Sequence, residues 1–274
     1  MSKHTEVIAK GLEYTYGYDK SAPDELDAAH CHDAYEILFV VSGEGKYVVE
    51  GASFDIKPVT LMIIKPLQYH YVLVDKTLPY ERYVLKFSPS LLSGDTLERF
   101  NAIMRTEDDA GGKYYSSGTL PTELFSVFDR FEIAAKFPES EKNAYMSMLL
   151  SEIILFLSAC HGEGMVYRED ELGAKVIRYL NENIHRNMSL DTLARRFFVS
   201  KYHLCRAFKK HNGISVHGYI NQKRVMYAKR LIDSGETAAG AAYRVGFGDY
   251  SSFYRAYVKV LGKSPTSAEG REEI

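Results

Sequence analysis

The chain has 274 residues, of which 46% are hydrophobic and 26% charged, and its formal net charge is −2. This length predicts two domains, and the composition is that of a globular protein. No run of about 18 apolar residues occurs, which argues against a membrane-spanning helix. The N-terminal sequence MSKHTEVIAK lacks the apolar segment of a signal peptide. Three cysteines without paired spacing, Cys31, Cys160 and Cys205, predict reduced thiols and a cytoplasmic protein.

The two halves of the chain carry opposite charge. Residues 171–274 contain 18 Lys and Arg against 9 Asp and Glu, whereas residues 1–170 contain 16 against 27. A basic C-terminal half favours contact with phosphate groups, and an acidic N-terminal half disfavours it. The charge split therefore points to nucleic-acid binding near the C-terminus, although surface charge can also serve solubility alone.

Residues 1–29 begin with a strand pattern. Tyr14, Tyr16 and Tyr18 alternate along GLEYTYGYDK, and a polar loop, SAPDELD, follows. Alternation of this kind favours an edge strand of a β-domain. An arm that folds over a bound ligand is the alternative.

Residues 30–88 are predicted to form a small β-sandwich or barrel. Short apolar runs are separated by Gly and Pro at the spacing that is typical of antiparallel β-domains. The predicted strands are 35–41, 46–50, one within 51–57, 61–64, 70–74 and 81–87.

The text HCHDAYEILFVVSGEGKYVVEG, followed later by LMIIKPLQYH, resembles the cupin-type domain at the N-terminus of many sugar-responsive AraC-type regulators. The resemblance implies a cavity for a small ligand. Polar side chains buried in such a cavity need hydrogen-bonding partners, which the hydroxyl groups of a sugar supply. The candidate ligand-binding residues are His32, Glu36 and His70, with Tyr35, Tyr47 and Arg82 as further candidates.

A sharper pattern lies within this domain, where His30-x-His32-x3-Glu36 precedes His70 on a later predicted strand. It resembles the metal-binding pattern of enzymatic cupins, and these side-chain types hold Fe, Mn, Ni or Zn. His30, His32 and Glu36 share parity, so on one continuous strand all three would face the same side. Hydrogen bonding to a polar ligand is the favoured interpretation, no cofactor is expected, and a metal site is the alternative.

Residues 89–161 are predicted to be largely helical. A helix is expected over 91–104 and a loop over 106–118. One further helix begins near Thr122 and breaks at Pro138, and another follows over 139–161, with apolar residues at spacings of three and four. These helices either cover the open side of the β-domain or form a dimer interface, as the family resemblance implies, and both roles are compatible.

The stretch from Ser189 to Ser215 predicts a helix-turn-helix that follows a linker containing Gly and charged residues. Ser189 and Ser200 are N-cap residues for two short helices, and Gly213 ends the second one. The second helix is basic on its outward side. This arrangement presents one helix to a DNA groove.

The motif then repeats, which makes the prediction specific. Thr237–Ser264 matches the first stretch with an offset of 48 residues before the turn and 49 after it. The second turn therefore carries one extra residue, and Asp249 takes the capping place of Ser200. A helix over 216–233 joins the two copies.

The repeated segment resembles the DNA-binding domain of the AraC-type transcription regulators over about residues 171–270. The resemblance implies two recognition helices that enter successive major-groove segments on one face of the DNA. Ala241, where an Ile is usual, and Val258, where a Lys is usual, suggest a weaker second unit. The matching residues are SKYHLCRAFKK at 200–210, GISVHGYI at 213–220, RVMYAKRLI at 224–232, VGF at 245–247 and GKSP at 262–265.

The resemblance assigns DNA contacts residue by residue. Tyr202 and Cys205 take positions that meet base edges, and Arg206 contacts guanine or a phosphate. The lysines of this helix are assigned to phosphate. A solvated helix face is the alternative for each of these side chains. The candidate DNA-binding residues are Lys201, Tyr202, Cys205, Arg206, Lys209, Lys210, Tyr250, Ser251, Tyr254 and Arg255.

The expected fold class is α+β and multidomain. A cupin-like β-sandwich or barrel with a helical dimerisation segment occupies 1–161, a linker 162–171, and an all-α domain with two helix-turn-helix units 172–270. The expected function is transcription regulation on promoter DNA by a homodimer that responds to a small molecule, with a carbohydrate as the favoured class. RNA polymerase is a further candidate partner. The alternatives are a metal-dependent cupin enzyme with a DNA-binding tail, and a ligand-blind DNA-binding protein whose cupin domain only dimerises.

Overall fold

The computed structural model describes residues 2–21, 29–105, 112–165, 172–186 and 188–266. The chain forms two compact units. Among the described residues, the first unit contains 2–21, 34–49 and 53–165, and the second contains 29–33, 50–52, 172–186 and 188–266.

The first unit is built on two antiparallel sheets. One has the strand order β1-β2-β8-β3-β6-β9-β10, and the other has the order β5-β4-β7. The predicted sandwich and its strands are therefore confirmed. The strands are β1 (Lys3–Ala9), β2 (Leu12–Asp19), β3 (Tyr35–Ser42), β4 (Gly45–Val49), β5 (Ala52–Ile56), β6 (Thr60–Ile64), β7 (His70–Val74), β8 (Tyr80–Phe87), β9 (Gly112–Tyr115) and β10 (Glu163–Gly164).

Strand β3 separates two apolar cores because successive side chains of a strand point to opposite faces. Leu38 and Val40 pack with Tyr47 and other residues of β4–β8 in the space between the sheets. Ile37 and Phe39 pack on the other face, against the helices. Both faces of β3 are buried, which explains why its sequence is a continuous apolar run.

Three helices cover the outer face of the larger sheet: α1 (Gly94–Met104), α2 (Glu123–Ala134) and α3 (Glu139–Ala159). Phe128 and Phe131 of α2 are fully buried against this sheet, where Phe131 stacks on Tyr14 with ring centroids 5.1 Å apart. The predicted covering role of these helices is confirmed. The strand predicted from Tyr14, Tyr16 and Tyr18 is present as β2, but the prediction that it is an edge strand is wrong. It pairs with β1 on one side and β8 on the other, and β1 takes the edge position.

Two predicted connections differ from the structure. The expected loop over 106–118 falls partly outside the described residues, but Gly112–Tyr115 forms strand β9 and pairs with β6. The beginning of the expected linker pairs with β9 as strand β10, and Met165 is fully buried. Both strands are short and find partners that are distant in sequence, so no local pattern reveals them.

The second unit contains helices α4 to α9. Helix α7 contacts both α8 and α9, and α4 packs against α6. Within the described parts of the chain, no helix is long and apolar enough to cross a membrane. The helices are α4 (Leu172–Glu182), α5 (Leu190–Arg196), α6 (Lys201–Asn212), α7 (Val216–Asp233), α8 (Ala238–Arg244) and α9 (Tyr250–Leu261).

A buried ion pair lies in the second unit, which includes the turn residues 50–52. The Lys223 Nζ atom lies 2.5 Å from Glu50 Oε1, and both side chains are about 95% buried. Asn181 donates a hydrogen bond to the same carboxylate at 3.1 Å, and the Tyr219 hydroxyl donates another. Burial and the charge of Glu50 hold the pKa of Tyr219 well above its usual value, so this hydroxyl stays a donor. Removing either Glu50 or Lys223 would leave the other charge buried without its counter-charge, which is strongly destabilising.

Candidate DNA interface and effector site

The first helix-turn-helix consists of α5 and α6. The Ser189 hydroxyl accepts a hydrogen bond from the Thr192 backbone N–H at 3.1 Å, and the Ser200 hydroxyl accepts one from the His203 N–H at 3.2 Å. Gly213 ends α6 in the left-handed conformation. Leu204 and Phe208 of α6 are fully buried, so packing fixes which side of the helix faces outward.

The structure brings the predicted DNA-contacting residues of α6 to that outward side. Tyr202 is 74% exposed, and Lys201 and Arg206 are also exposed. Cys205 is half-buried. One shallow, open surface is lined by Tyr202, Cys205, Arg206, Lys209 and Lys210.

Two details of α6 were not predicted. The Lys201 Nζ atom lies 3.0 Å from the Asp191 carboxylate, so this lysine is partly neutralised before it meets a phosphate. His203 is exposed as well, although it was not among the candidate DNA-contacting residues. Its position on the helix places it among the outward residues, one turn before Arg206.

The second helix-turn-helix, α8 and α9, repeats this arrangement. Asp249 caps α9 by accepting a hydrogen bond from the Ser252 N–H at 2.7 Å, which together with other bonds to its carboxylate keeps the Asp249 pKa below its usual value. All four predicted residues of α9 are exposed. They are Tyr250, Ser251, Tyr254 and Arg255.

The turns of the two motifs correspond in backbone conformation but not in residue type. Phe198 has φ +54° and Gly246 has φ +94°, and each is the second residue after the first helix of its motif. Both are in the left-handed region, which a bulky residue rarely occupies. The Phe198 side chain is 94% exposed.

Arg224 of α7 is a residue whose role sequence reasoning missed. Its guanidinium donates hydrogen bonds to the backbone carbonyl oxygens of Ile184 at 2.8 Å, Arg186 at 2.6 Å and Gly246 at 2.7 Å. These carbonyls belong to the two connections that precede α5 and α9. One side chain thus links the two helix-turn-helix motifs. The sequence offered one weak signal for this role: Arg224 is a charged residue on α7, the helix that contacts elements of both motifs.

Three of the candidate ligand-binding residues lie together in the first unit. The Tyr47 hydroxyl donates a hydrogen bond to Glu36 Oε1 at 3.0 Å, and His70 Nε2 lies 3.6 Å from Glu36 Oε2. All three side chains are buried in the space between the two sheets. Burial and the negative charge of Glu36 raise the pKa of Tyr47 well above its usual value. This group is polar, preorganised and surrounded by apolar side chains, as small-molecule sites are.

Arg82 shares this face of the sheet but belongs to a second polar group. It pairs with Asp19 at 2.6 Å, and His4 Nε2 lies 2.9 Å from the other oxygen of the same carboxylate. The Arg82 guanidinium crosses Gly17, where an added Cβ would lie only 2.5 Å from it. Tyr80 lies next to this group, and the distance from its ring centroid to the Arg82 guanidinium carbon is 5.0 Å.

The remaining candidates occupy different places. Tyr35 points to the opposite face of β3 from Glu36 and packs on Phe87 and Phe100, so it does not join the ligand group. His30 and His32 belong to the second unit, with ring centroids 5.9 Å apart, whereas Glu36 and His70 belong to the first. The metal hypothesis for these four residues therefore stays a prediction.

The two units together define a class of protein: a DNA-binding regulator with a separate ligand-binding unit. Family models agree with this class. Residues 14–158, more than half of the chain, match the family described as AraC-like ligand binding domain, and residues 193–270 match a helix-turn-helix domain. The chain belongs to the AraC family of transcription regulators.

Curated relatives extend over most of the chain. It is 27% identical over 235 residues to the uncharacterized HTH-type transcriptional regulator YbfI of Bacillus subtilis, covering 81% of this chain and 79% of the relative. It is 26% identical over 258 residues to the HTH-type transcriptional activator RhaS of Enterobacter sp., covering 91% and 90%. These relatives are transcription regulators, which identifies this chain as a regulator rather than an enzyme.

Among solved structures, the DNA-binding domain of AdpA in complex with a target DNA is 26% identical and covers 35% of this chain and 87% of that one. Its TM-score is 0.33, which is too low for a structural argument.

Proposed function

We propose that this AraC-family regulator responds to a small polyhydroxylated molecule, of the carbohydrate class, that binds between the sheets of the first unit. The observation that carries this proposal is the buried group of Glu36, Tyr47 and His70. Glu36 is bonded to Tyr47 and lies next to His70, and a preorganised polar group of this kind inside an apolar core is the arrangement that orients a ligand's hydroxyl groups in a small-molecule site. A sugar offers many hydroxyl groups that both donate and accept, and the aromatic faces of Tyr47 and His70 suit its ring.

A thermal-shift screen of the full chain against sugars, sugar acids and divalent metal ions tests the ligand class. A bound sugar should raise the free energy of unfolding with the logarithm of its concentration, by about 2.7 kcal/mol at 100 times its Kd. The unfolding midpoint temperature should rise with it. Tyr47→Phe removes one hydroxyl from the group and should weaken that response. Tyr35→Phe is the matched control, because it removes a hydroxyl on the opposite face of the same sheet.

Each outcome of the screen separates this proposal from its rivals. Stabilisation by a sugar that Tyr47→Phe weakens and Tyr35→Phe preserves supports it. Stabilisation by a metal ion alone favours the site of His30, His32, Glu36 and His70. No response to any compound favours a ligand-blind regulator whose first unit is structural.

We propose that the recognition helices α6 and α9 contact promoter DNA through their exposed outward residues, in the cytoplasm. Tyr202, Cys205 and Arg206 face the base edges, and the lysines of α6 face phosphates. In this assignment Arg206→Ala relaxes the sequence preference, whereas Lys209→Ala weakens binding to all duplexes alike. Contact with RNA polymerase at the promoter is a further part of this proposal, testable by transcription with purified polymerase.

We propose that the regulator is a homodimer that associates through α3. Met148 is 69% exposed and Leu155 is 46% exposed, two turns apart on one side of this helix. Ala144 and Ala159 are exposed on the same stripe. Single exposed apolar residues are common on protein surfaces, but several of them in one stripe along a helix are typical of an interface.

A further inference from the structure

An open groove of about 800 Å³ lies within the second unit, between α7, the turn after α8, and α9. Two helix stripes form its sides. His217, Asn221 and Arg224 recur along α7 at spacings of four and three, and Arg255 and Lys259 are four apart on α9. These spacings place each set on one side of its helix.

The groove is electropositive. Its lining includes Arg255 and Lys259 in addition to Arg224, and also Arg244, which is paired with Glu236 at 2.9 Å. Asp249 is the acidic residue among the described lining residues, and its carboxylate is occupied as the N-cap of α9. The net charge of the lining therefore favours an anion.

Arg224 contributes charge from the floor of the groove. Its guanidinium is bonded to three backbone carbonyl oxygens, which are neutral and do not cancel its charge. Burial lowers the pKa of Arg224, but a guanidinium stays protonated at neutral pH. Because its hydrogen bonds go to neutral carbonyl groups rather than to a carboxylate, Arg224 keeps its net positive charge beside the groove.

The position of the groove indicates which anion it takes. Arg255 belongs both to its lining and to the outward face of the recognition helix α9. The α7 stripe begins two residues after Ser215, the N-cap of the helix that follows α6. The groove thus lies between the C-terminal end of the first recognition motif and the second recognition helix, and it is open along its length rather than closed around a small molecule.

We propose that this groove is a phosphate-binding site that holds the DNA backbone where it passes between the two recognition helices, with Lys259, His217 and Asn221 as contact residues. The proposal rests on the DNA-binding role of α6 and α9 and adds a contact that neither recognition helix supplies by its reading face. Backbone contacts of this kind fix the register of a protein on DNA without reading sequence. The groove would set the spacing at which the two helices meet the major groove.

The test uses the full chain and a duplex selected by it from a random-sequence pool. The dissociation constant is measured over a series of KCl concentrations for the wild type, Lys259→Ala, and the double variant His217→Ala/Asn221→Ala. Loss of the Lys259 contact should reduce the magnitude of the slope of log K against log salt by about 0.9 and weaken binding roughly five- to tenfold near 0.1 M salt. The double variant removes no lysine or arginine, so it should weaken binding to all sequences with little change in slope. The preferred sequence should stay the same.

Lys175→Ala is the matched control, because Lys175 is an exposed lysine of α4 in the same unit and does not line the groove. Its salt slope should equal that of the wild type. Ethylation interference locates the contact directly. Phosphates between the two major-groove segments should interfere with wild-type binding, and at least one of them should cease to do so with Lys259→Ala.

Three results overturn this inference. One is a salt slope for Lys259→Ala and an affinity for the double variant that both equal those of the wild type, and another is an ethylation pattern that Lys259→Ala leaves intact. The third is stabilisation of the chain by inorganic phosphate that Lys259→Ala abolishes while DNA binding is unaffected, which would make the groove a site for free phosphate. If the wild-type chain selects no duplex at all, the DNA-binding role itself fails, and that result is distinct from the other three.

Discussion

Phe198 occupies a backbone conformation that its side chain does not suit. Its φ of +54° matches the +94° of Gly246 in the second motif, so the turn requires a left-handed residue in both copies. A non-glycine residue held there costs on the order of 1–3 kcal/mol. The Phe198 side chain recovers little of this by packing, because it is 94% exposed.

Replacing Phe198 with glycine should therefore stabilise the second unit. The relief of strain exceeds the extra chain entropy of glycine, and we expect a net gain of about 0.5–1 kcal/mol in the free energy of unfolding. Urea denaturation followed by circular dichroism measures it. A loss of stability would show that the phenyl ring makes contacts that outweigh the strain.

Gly246→Ala is the reciprocal experiment on the matching residue. An added Cβ would lie 2.5 Å from the His185 carbonyl oxygen and 3.0 Å from Arg224 Nη2, at a positive φ. We expect a destabilisation of more than about 1 kcal/mol, since strain and a clash add to each other. The two substitutions should thus shift stability in opposite directions at equivalent positions.

Strands β1, β2 and β8 are joined by one buried carboxylate. Asp19 of β2 accepts hydrogen bonds from Arg82 of β8 and contacts His4 of β1. Burial alone would raise the pKa of Asp19, but the hydrogen bonds from Arg82 and His4 outweigh it, and the net effect is a pKa below the usual value. A depressed carboxyl pKa stabilises the fold above the unfolded-state pKa, and this stabilisation is lost as the pH falls through the folded-state pKa.

Asp19→Asn tests this network by its dependence on pH. At neutral pH the substitution leaves Arg82 buried without a counter-charge and should cost about 3 kcal/mol. The difference from the wild type should shrink as the pH falls below the unfolded-state Asp pKa of about 3.9 and through the lower folded-state pKa of Asp19, because wild-type Asp19 then becomes protonated as well. Urea unfolding at several pH values measures both effects. Asp55→Asn, in an exposed pair with Lys46, should give a much smaller change, and an equal change would contradict the role of burial.

Elements with a strong local pattern were predictable from the sequence, and elements that depend on distant partners were not. Strand β2 follows from the alternation of Tyr14, Tyr16 and Tyr18, and the caps Ser189, Ser200 and Asp249 follow from short polar side chains placed before helices. Strand β9 was predicted as a loop because its partner β6 lies about 50 residues earlier and its own four residues contain Gly and Lys. Pairing of this kind is fixed by tertiary packing, which local propensity does not record.

The same limit applies to the sites. The outward residues of α6 could be predicted because helical periodicity and the buried Leu204 and Phe208 fix the face. Glu36 and Tyr47 could be proposed as partners but not placed, since their hydrogen bond joins neighbouring sheets. Arg224 could not be found, because its partners are backbone carbonyls, which carry no sequence signature.

At the scale of the whole molecule, the acidic first half and the basic second half match the division of labour between a ligand-binding unit and a DNA-binding unit. A monomer already carries two recognition helices, so dimerisation is not needed to form a DNA-reading surface. Dimerisation instead increases the affinity for DNA with two half-sites, because once one DNA-binding unit is bound, binding of the second is intramolecular. The affinity for a site with two half-sites should therefore depend on α3, although α3 touches no DNA in this proposal.

The double variant Met148→Glu/Leu155→Glu tests that dependence. Two like charges placed on the exposed stripe of α3 repel their copies across a symmetric interface, so we expect a monomer by size-exclusion chromatography with light scattering. Because neither side chain is in the core, the unfolding midpoint of the monomer should change little. Affinity for a duplex with two half-sites should fall by about 10²-fold or more, while affinity for a single half-site should stay the same.

Ile8→Glu is the control. It changes an apolar side chain of β1 that is 56% exposed, and it should leave the dimer intact. A monomer in the Ile8 variant and a dimer in the α3 variant would move the interface from the helix to the edge strand.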